Sequence, residues 1–216
     1  MTRKSQRPTN NYTCLLFDLD DTLYPHTNGI WEKIRERINH YLLEEMHFAP
    51  EVVPVLRKRL WKQYGTTLRG LQVEYSVNVE DYLAYVHDVP LHGAISPDPE
   101  LQSLLEILPQ RKVIFTNADE AHALRVMEAL GVTDQFEMII DVHKMAPYCK
   151  PEPAAFLKAL GAIGEPPENC LLLDDSPGNL STAQGLGMGT VSVGIHNHEG
   201  SPHIAAINEL GQVLGY

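Results

Sequence analysis

The chain has 216 residues, 44% of them hydrophobic and 21% charged, which excludes a disordered protein and fits one domain with an insertion or two small domains. Its 17 basic and 28 acidic side chains give a formal net charge of −11, so the chain lacks the basic footprint of a nucleic-acid-binding protein. Three cysteines without paired spacing and a polar N-terminus without a signal peptide predict a cytoplasmic protein with no membrane-spanning segment.

The first predicted element is a short buried strand, Cys14–Phe17, which is followed by the carboxylates of Asp18 and Asp20. Side chains two residues apart on an extended chain point the same way, so both carboxylates are expected to face one pocket. Like charges this close require a cation or a shared proton, unless the stretch is only a solvated acidic turn. An EF-hand calcium loop is excluded, because Leu23 and Gly29 replace the glycine and glutamate that it needs.

The stretch from residue 25 to residue 92 shows helical spacing and no convincing buried strand. Helices are predicted over residues 28–46, 51–64 and 79–87, with a less regular stretch over 66–77 that contains Gly70. We therefore expect residues 25–92 to form an inserted helical cap, and residues 1–24 and 93–216 to form the core.

Strand and helix patterns alternate through the rest of the chain. Strands are predicted over 112–116, 137–141, 171–173 and 190–193, and helices from Asp98 and over 119–130, 151–160, 176–186 and 203–210. Such alternation is typical of an α/β fold with a doubly wound parallel sheet that is covered by helices on both faces.

Polar side chains follow the predicted strands at points that a parallel sheet brings to one edge. Beyond Asp18 and Asp20, they are Thr116, Asn117, Asp174 and Asp175, together with Lys150 before a predicted helix. Taken singly, these residues also fit a loop start, a helix cap and a surface lysine. Together they predict a site in which carboxylates bind Mg²⁺ and the hydroxyl, amide and ammonium groups hold phosphate oxygens.

This set of motifs resembles the haloacid dehalogenase-like (HAD) phosphohydrolase superfamily over nearly the whole chain. The four motifs are Asp18-Leu19-Asp20-Asp21-Thr22, Thr116-Asn117, Lys150-Pro151 and Asp174-Asp175. The stretches 20–25, 64–71 and 173–176 resemble more narrowly the pyrimidine 5′-nucleotidase branch. The resemblance implies a Rossmann-like core with a helical cap and a Mg²⁺-dependent phosphatase.

The resemblance also implies a role for each motif residue. Asp18 would be the nucleophile that forms an aspartyl-phosphate, and Asp20 the general acid and base. Mg²⁺ would be held by Asp18, the backbone carbonyl of Asp20, and Asp175, with Asp174 beside them, while Thr116, Asn117 and Lys150 would stabilise the transferring group and Asn179 would orient the acidic pair.

The motifs do not choose the substrate, which we expect to be a small phosphorylated metabolite such as a nucleoside 5′-monophosphate. Tyr64, Thr67 and Arg69 in the predicted cap could contact a base and ribose, and a core tyrosine with a solvated arginine is an equal alternative. A sugar-phosphate phosphatase, a mutase and a catalytically silent binding protein of the same fold are the alternatives. A monomer or homodimer is expected in each case.

Three histidines near the C-terminus, His196, His198 and His203, offer a possible transition-metal site. A polar loop after the last strand explains them more simply.

Overall fold

The computed structural model describes residues 11–216, in which six strands form one entirely parallel sheet. The strands are β1 (Cys14–Phe17), β2 (Arg111–Phe115), β3 (Met138–Ile140), β4 (Cys170–Asp174), β5 (Gly189–Val193) and β6 (His203–Ile204). Their order across the sheet is β3-β2-β1-β4-β5-β6, so that β1 lies between β2 and β4. The predicted doubly wound α/β fold is confirmed.

Helices connect the strands and cover the sheet. They are α1 (Ile30–His40), α2 (Val53–Tyr64), α3 (Thr67–Tyr75), α4 (Val79–Val86), α5 (Pro99–Ile107), α6 (Glu120–Leu130), α7 (Val142–Met145), α8 (Pro153–Ile163), α9 (Pro177–Gly185) and α10 (Leu210–Leu214). Connections between parallel strands generally place helices on both faces of the sheet. No α-helix among the described residues combines the length and apolar character needed to cross a lipid bilayer.

The central strand contributes to two separate hydrophobic cores because its side chains alternate between the faces of the sheet. Leu15 and Phe17 belong to the core on one face, and Cys14 and Leu16 belong to the core on the other. All four side chains are fully buried. This double burial explains why the strand is a continuous apolar run, and it fixes the direction in which the residues after Phe17 leave the sheet.

Helices α1–α4, which we call the helical block, fill the chain between β1 and α5. Ile30, Ile34 and Ile38 form the buried stripe of α1, and α1 continues into a single π-helical segment, Tyr41–Glu45. The helical character of this part of the chain matches the sequence pattern. Its limits as a separate cap at residues 25–92 stay a prediction.

Helix α3 corrects the expectation of a less regular stretch over residues 66–77. The side chain of Thr66 begins the helix by accepting a hydrogen bond from the backbone N–H of Arg69 at 3.0 Å. Gly70 allows α3 to lie against α2, since a Cβ there would be 2.7 Å from Cβ of Leu60 and 2.9 Å from a ring carbon of Tyr64. The glycine that weakened the helical pattern is therefore a packing requirement.

Two further boundaries near the C-terminus differ from expectation. Helix α8 runs through Gly161 and ends at Gly164, whose φ of +75° gives the left-handed conformation that closes helices. Residues 203–210 do not form one helix: His203 and Ile204 pair with β5, and a short 3-10 helix over Ile207–Glu209 leads into α10. The spacing of apolar residues fitted a helix there, but the free edge of β5 accepts a strand.

Candidate active site

The polar residues that follow β1, β2 and β4 lie at one edge of the sheet. Asp18 extends β1, and its N–H bonds the carbonyl oxygen of Leu173 in β4 at 2.9 Å. Thr116 extends β2, and its N–H bonds the carbonyl oxygen of Ile140 in β3 at 3.0 Å. Asp174 is the last residue of β4. The expected convergence follows from the register of the parallel strands.

Lys150 is the centre of this edge. Its ammonium group is 2.7 Å from Oδ1 of Asp18 and 2.9 Å from Oδ2 of Asp174, and its side chain is only 1% exposed. Burial alone would lower the pKa of Lys150, but the two carboxylates outweigh it and raise the pKa, so the lysine stays charged. Asn117 fixes the backbone of Lys150, accepting from its N–H at 2.8 Å and donating to its carbonyl oxygen at 3.0 Å.

Three carboxylates, from Asp18, Asp174 and Asp175, offer oxygen atoms that all lie within 4.8 Å of one another. Burial, followed by the charges of Asp174 and Asp21, raises the pKa of Asp175 to about 7. Burial also raises the pKa of Asp18, and Lys150 opposes that shift. Lys150 alone therefore does not balance the three charges, and a hard divalent cation fits the all-oxygen donor set.

Asn179 holds the acidic cluster from helix α9. Its amide nitrogen donates to both carboxylate oxygens of Asp174, at 2.9 and 3.0 Å, and Asp174 is fully buried. The N–H of Ser176 donates to Oδ1 of Asp174 at 2.9 Å. These donors hold the Asp174 carboxylate, and the role of Asn179 in orienting the acidic pair stays a prediction.

Thr116 is buried, and its hydroxyl oxygen accepts a hydrogen bond from the N–H of Ala118 at 3.0 Å. The hydroxyl of Thr22 lies 3.4 Å from Oδ2 of Asp18. The structure thus brings Thr116, Asn117 and Lys150 to the same edge as the acidic residues. Their binding of a phosphate group stays a prediction.

Asp20 has partners that the sequence patterns did not reveal. Its Oδ1 atom receives hydrogen bonds from the hydroxyl of Tyr24 and from Nε2 of His122, the latter at 2.9 Å. Burial acts to raise the pKa of Asp20, but His122 and Tyr24 outweigh it and the pKa is lowered. The sequence did hold an indication that His122 is buried, because helical spacing places it on the same face of α6 as Val126 and Leu130.

Of the three residues proposed to select the substrate, Tyr64 and Arg69 are engaged by neighbouring side chains. The hydroxyl of Tyr64 donates to Glu74 at 3.0 Å, within the helical block. Arg69 reaches out of the block and places Nε 3.9 Å from Oε1 of Glu152, close to Lys150. Thr67 is buried in the first turn of α3.

The turn before α3 contacts the segment that carries Lys150. A Cβ on Gly65 would lie 2.9 Å from Cδ of Pro151 and 3.0 Å from the carbonyl oxygen of Lys150. Sγ of Cys149 lies 3.2 Å from the carbonyl oxygen of Tyr64. The helical block therefore packs directly against the polar edge of the sheet at this point.

The three C-terminal histidines do not form a metal site in the described residues. His196 and His203 are exposed, and Nε2 of His198 is 3.5 Å from the hydroxyl of Ser181. Within residues 11–216, the acidic cluster is the only group of three or more histidine, cysteine or carboxylate side chains with metal-binding spacing. The polar-loop interpretation fits His196 and His198, whereas His203 lies in strand β6.

Comparisons with known proteins give relatives for the chain and neighbours for its fold. The chain is 28% identical over 190 residues to phosphate metabolism protein 8 of Saccharomyces cerevisiae. The aligned region covers 81% of this chain but only 59% of that longer protein. It is 25% identical over 193 residues to a phosphoglycolate phosphatase of Rhodospirillum rubrum, covering 82% of the chain and 77% of the relative.

The solved structure of CbbY from Rhodobacter sphaeroides in complex with phosphate matches 95% of this chain, and the match covers 100% of the CbbY chain. The TM-score is 0.68 and the sequence identity is 19%. YfnB from Bacillus subtilis, a HAD hydrolase solved with magnesium, likewise matches 95% of this chain over 100% of its own length. Its TM-score is 0.65 and its sequence identity is 19%. At this identity the two neighbours support the fold alone. The family model of the haloacid dehalogenase-like hydrolases matches residues 12–187, and the chain therefore belongs to that family.

Proposed function

We propose that the protein is a Mg²⁺-dependent phosphomonoesterase that works through an aspartyl-phosphate on Asp18. One observation carries the proposal: the Asp18 carboxylate is paired with the Lys150 ammonium and clusters with two further carboxylates, while Asp20 lies outside that cluster with partners of its own. A carboxylate nucleophile and a separate acid/base group are the two functions that this chemistry needs. The name of the Rhodospirillum rubrum relative agrees with phosphatase activity.

The proposed reaction has two steps. An oxygen of Asp18 attacks phosphorus, the ester P–O bond breaks, and Asp20 gives a proton to the leaving oxygen. Water then attacks the phosphorus of the aspartyl-phosphate, the bond between Asp18 and phosphorus breaks, and inorganic phosphate leaves. Asp20 takes the proton of the attacking water and is again the acid for the next cycle, and Asp18 returns to a carboxylate. Lys150 offsets negative charge beside the transferring group, and Asn117 holds the backbone of Lys150 in place.

The acidic cluster fits Mg²⁺, because its donors are all carboxylate oxygens within 4.8 Å of one another. Asp18 and Asp175 would bind the ion with the backbone carbonyl of Asp20, and Asp174 would lie beside them. The bound ion would supply charge neutralisation between the nucleophile and the phosphate dianion.

Metal removal tests this proposal. We expect hydrolysis of p-nitrophenyl phosphate to stop in excess EDTA and to return with Mg²⁺ but poorly with Ca²⁺, whose larger and looser ligand shell misplaces the nucleophile. Mg²⁺ should also raise the melting temperature of the parent protein, and much less that of Asp175→Asn. Full activity in chelator would refute the metal requirement. No turnover of any phosphomonoester with Mg²⁺ would favour a binding protein of this fold.

For the substrate we propose a small phosphorylated metabolite, with a nucleoside 5′-monophosphate as the first candidate. Residues 25–92 would act as the cap that covers the site, and the contact of Gly65 with the Lys150–Pro151 segment supports this placement. The second candidate is a small phosphorylated acid or sugar, favoured by the phosphoglycolate phosphatase name of several relatives. Contacts to the remote part of a substrate would select between them.

Substitutions at Arg69 and Thr67 test the nucleotide candidate. We expect Arg69→Ala and Thr67→Ala to lower kcat/KM for a nucleoside monophosphate more than for p-nitrophenyl phosphate, because the small substrate lacks the remote groups. Arg59→Ala is the matched control, since Arg59 pairs with Glu74 at 2.6 Å within the helical block. Proportional losses on both substrates, or no hydrolysis of nucleoside monophosphates by the parent, would eliminate the nucleotide candidate but not the phosphatase.

A further inference from the structure

The carboxylate of Asp20 is held from one side only. Tyr24 and His122 both donate to Oδ1, and no hydrogen bond to Oδ2 is formed within the described part of the chain. The side chain of Asp20 keeps 16% of its surface exposed, whereas that of His122 is fully buried. A carboxylate with two donors on one oxygen cannot rotate freely, so its second oxygen points in a fixed direction.

The two ring nitrogens of His122 have different surroundings. Nδ1 of His122 is buried and has no hydrogen-bond partner among residues 11–216. A proton on that nitrogen would leave a buried N–H donor unsatisfied, which is costly. Nε2 of His122 is therefore the nitrogen that donates to Asp20, because a carboxylate oxygen can only accept.

The helical block holds His122 in place through a second histidine. His87, the residue that ends α4, stacks on His122 with ring centroids 4.4 Å apart and planes 18° apart. Nδ1 of His87 lies 3.3 Å from Oδ1 of Asp119, at the start of α6. Arg125 of α6 donates to the carbonyl oxygens of His87 and Val89, at 2.8 and 2.6 Å. The imidazole ring of His122, which donates to Asp20, is thus stacked on the ring of His87 at the end of α4.

We propose that His122 is a positioning residue that orients Asp20 through Oδ1 and so leaves Oδ2 free for proton transfer. His87 keeps the His122 ring in this position while the helical block contacts α6. This inference rests on the proposed phosphatase reaction. In this step Asp20 carries on Oδ2 the proton that it took from water in the preceding cycle. When the ester breaks, its P–O electron pair moves to the leaving oxygen, which takes that proton. Asp20 is left as a carboxylate, and Oδ1 stays bonded to His122 and Tyr24.

The inference makes a prediction about leaving groups. A poor leaving group, such as the alcohol of butyl phosphate, needs a well-aimed proton, whereas p-nitrophenolate leaves without one. Loss of one charge-assisted hydrogen bond corresponds to about 10- to 100-fold in rate. We therefore expect His122→Leu to lower kcat/KM for butyl phosphate by about that factor and to change it little for p-nitrophenyl phosphate.

Two conservative variants separate positioning from packing. His122→Gln retains an N–H near the position of Nε2 and should recover part of the activity on butyl phosphate. His87→Phe retains an aromatic ring on His122 and should be milder than His87→Ala, and His87→Ala should add little to His122→Leu. His40→Leu, at an exposed position of α1, is the control for loss of a histidine.

The outcomes are distinguishable. Equal losses on both substrates, or a lower melting temperature without a change in the substrate ratio, would make His122 a packing residue and overturn the inference. Should His122→Leu fail to fold, the same comparison between His122→Gln and His87→Ala decides the question: an unchanged substrate ratio in both overturns it. A parent enzyme that hydrolyses neither substrate would instead refute the phosphatase proposal itself.

Discussion

Asp18→Asn is expected to abolish phosphomonoesterase activity while leaving the fold intact. An amide cannot form the proposed covalent intermediate, and removal of a covalent nucleophile typically costs about 10⁴- to 10⁶-fold in kcat. The substitution keeps the size of the side chain and removes one of three crowded negative charges. The melting temperature should therefore stay at or above that of the parent.

The measurement is single-turnover and steady-state hydrolysis of p-nitrophenyl phosphate, with circular dichroism to verify folding. Asp134→Asn, at an exposed position, is the matched control for the loss of a carboxylate. Trapping of phosphate on the parent protein, and not on Asp18→Asn, would add direct support. Near-parent activity in Asp18→Asn would contradict the assignment of the nucleophile.

Lys150→Met is expected to reduce both activity and stability. The substitution leaves Asp18 and Asp174 buried without their shared cation, and breaking a buried ion pair costs about 3–5 kcal/mol of unfolding free energy. Loss of a charge beside the transferring phosphoryl group costs a further factor of about 10²–10³ in kcat. Methionine retains most of the volume, so the effect reports charge more than packing.

Adding Mg²⁺ separates the effect of Lys150→Met on stability from its effect on activity. A cation bound at the acidic cluster should recover part of the melting temperature of Lys150→Met but little of its activity, because binding to the folded state alone stabilises it. Lys62→Met, on the exposed face of α2, is the control. A melting temperature equal to that of the parent without Mg²⁺ would show that the buried lysine does not neutralise the carboxylates.

The sequence predicted the sheet and the common edge of Asp18, Thr116 and Asp174, because parallel strands bring the residues at their carboxyl ends to one edge whatever the details of packing. Lys150 lies between α7 and α8, so its pairing with Asp18 and Asp174 depends on how that segment packs. The sequence did not predict the stack of His87 on His122. These two residues are separated along the chain and meet only through the docking of α4 against α6, which leaves no local periodicity.

Local patterns failed where tertiary contacts decided the structure. Gly70 reads as a helix breaker until α2 lies against it, and His203–Ile204 reads as helical until β5 offers an unpaired edge. In the same way, the sequence suggested Arg69 for substrate contact but not its approach to Glu152. Side-chain partners of this kind depend on the packing of distant elements.

The central position of β1 has a consequence for how the chain folds. Its residue Cys14 pairs with Arg111 on one side and with Cys170 on the other, so neither neighbour is close in sequence. During synthesis β1, which is apolar on both faces, therefore stays unpaired until β2 and β4 have been made. Non-local pairing of this kind slows folding and exposes unpaired strand edges in the meantime. Helices α1–α4 contact one another within a shorter stretch of chain, so their packing does not depend on that distant pairing.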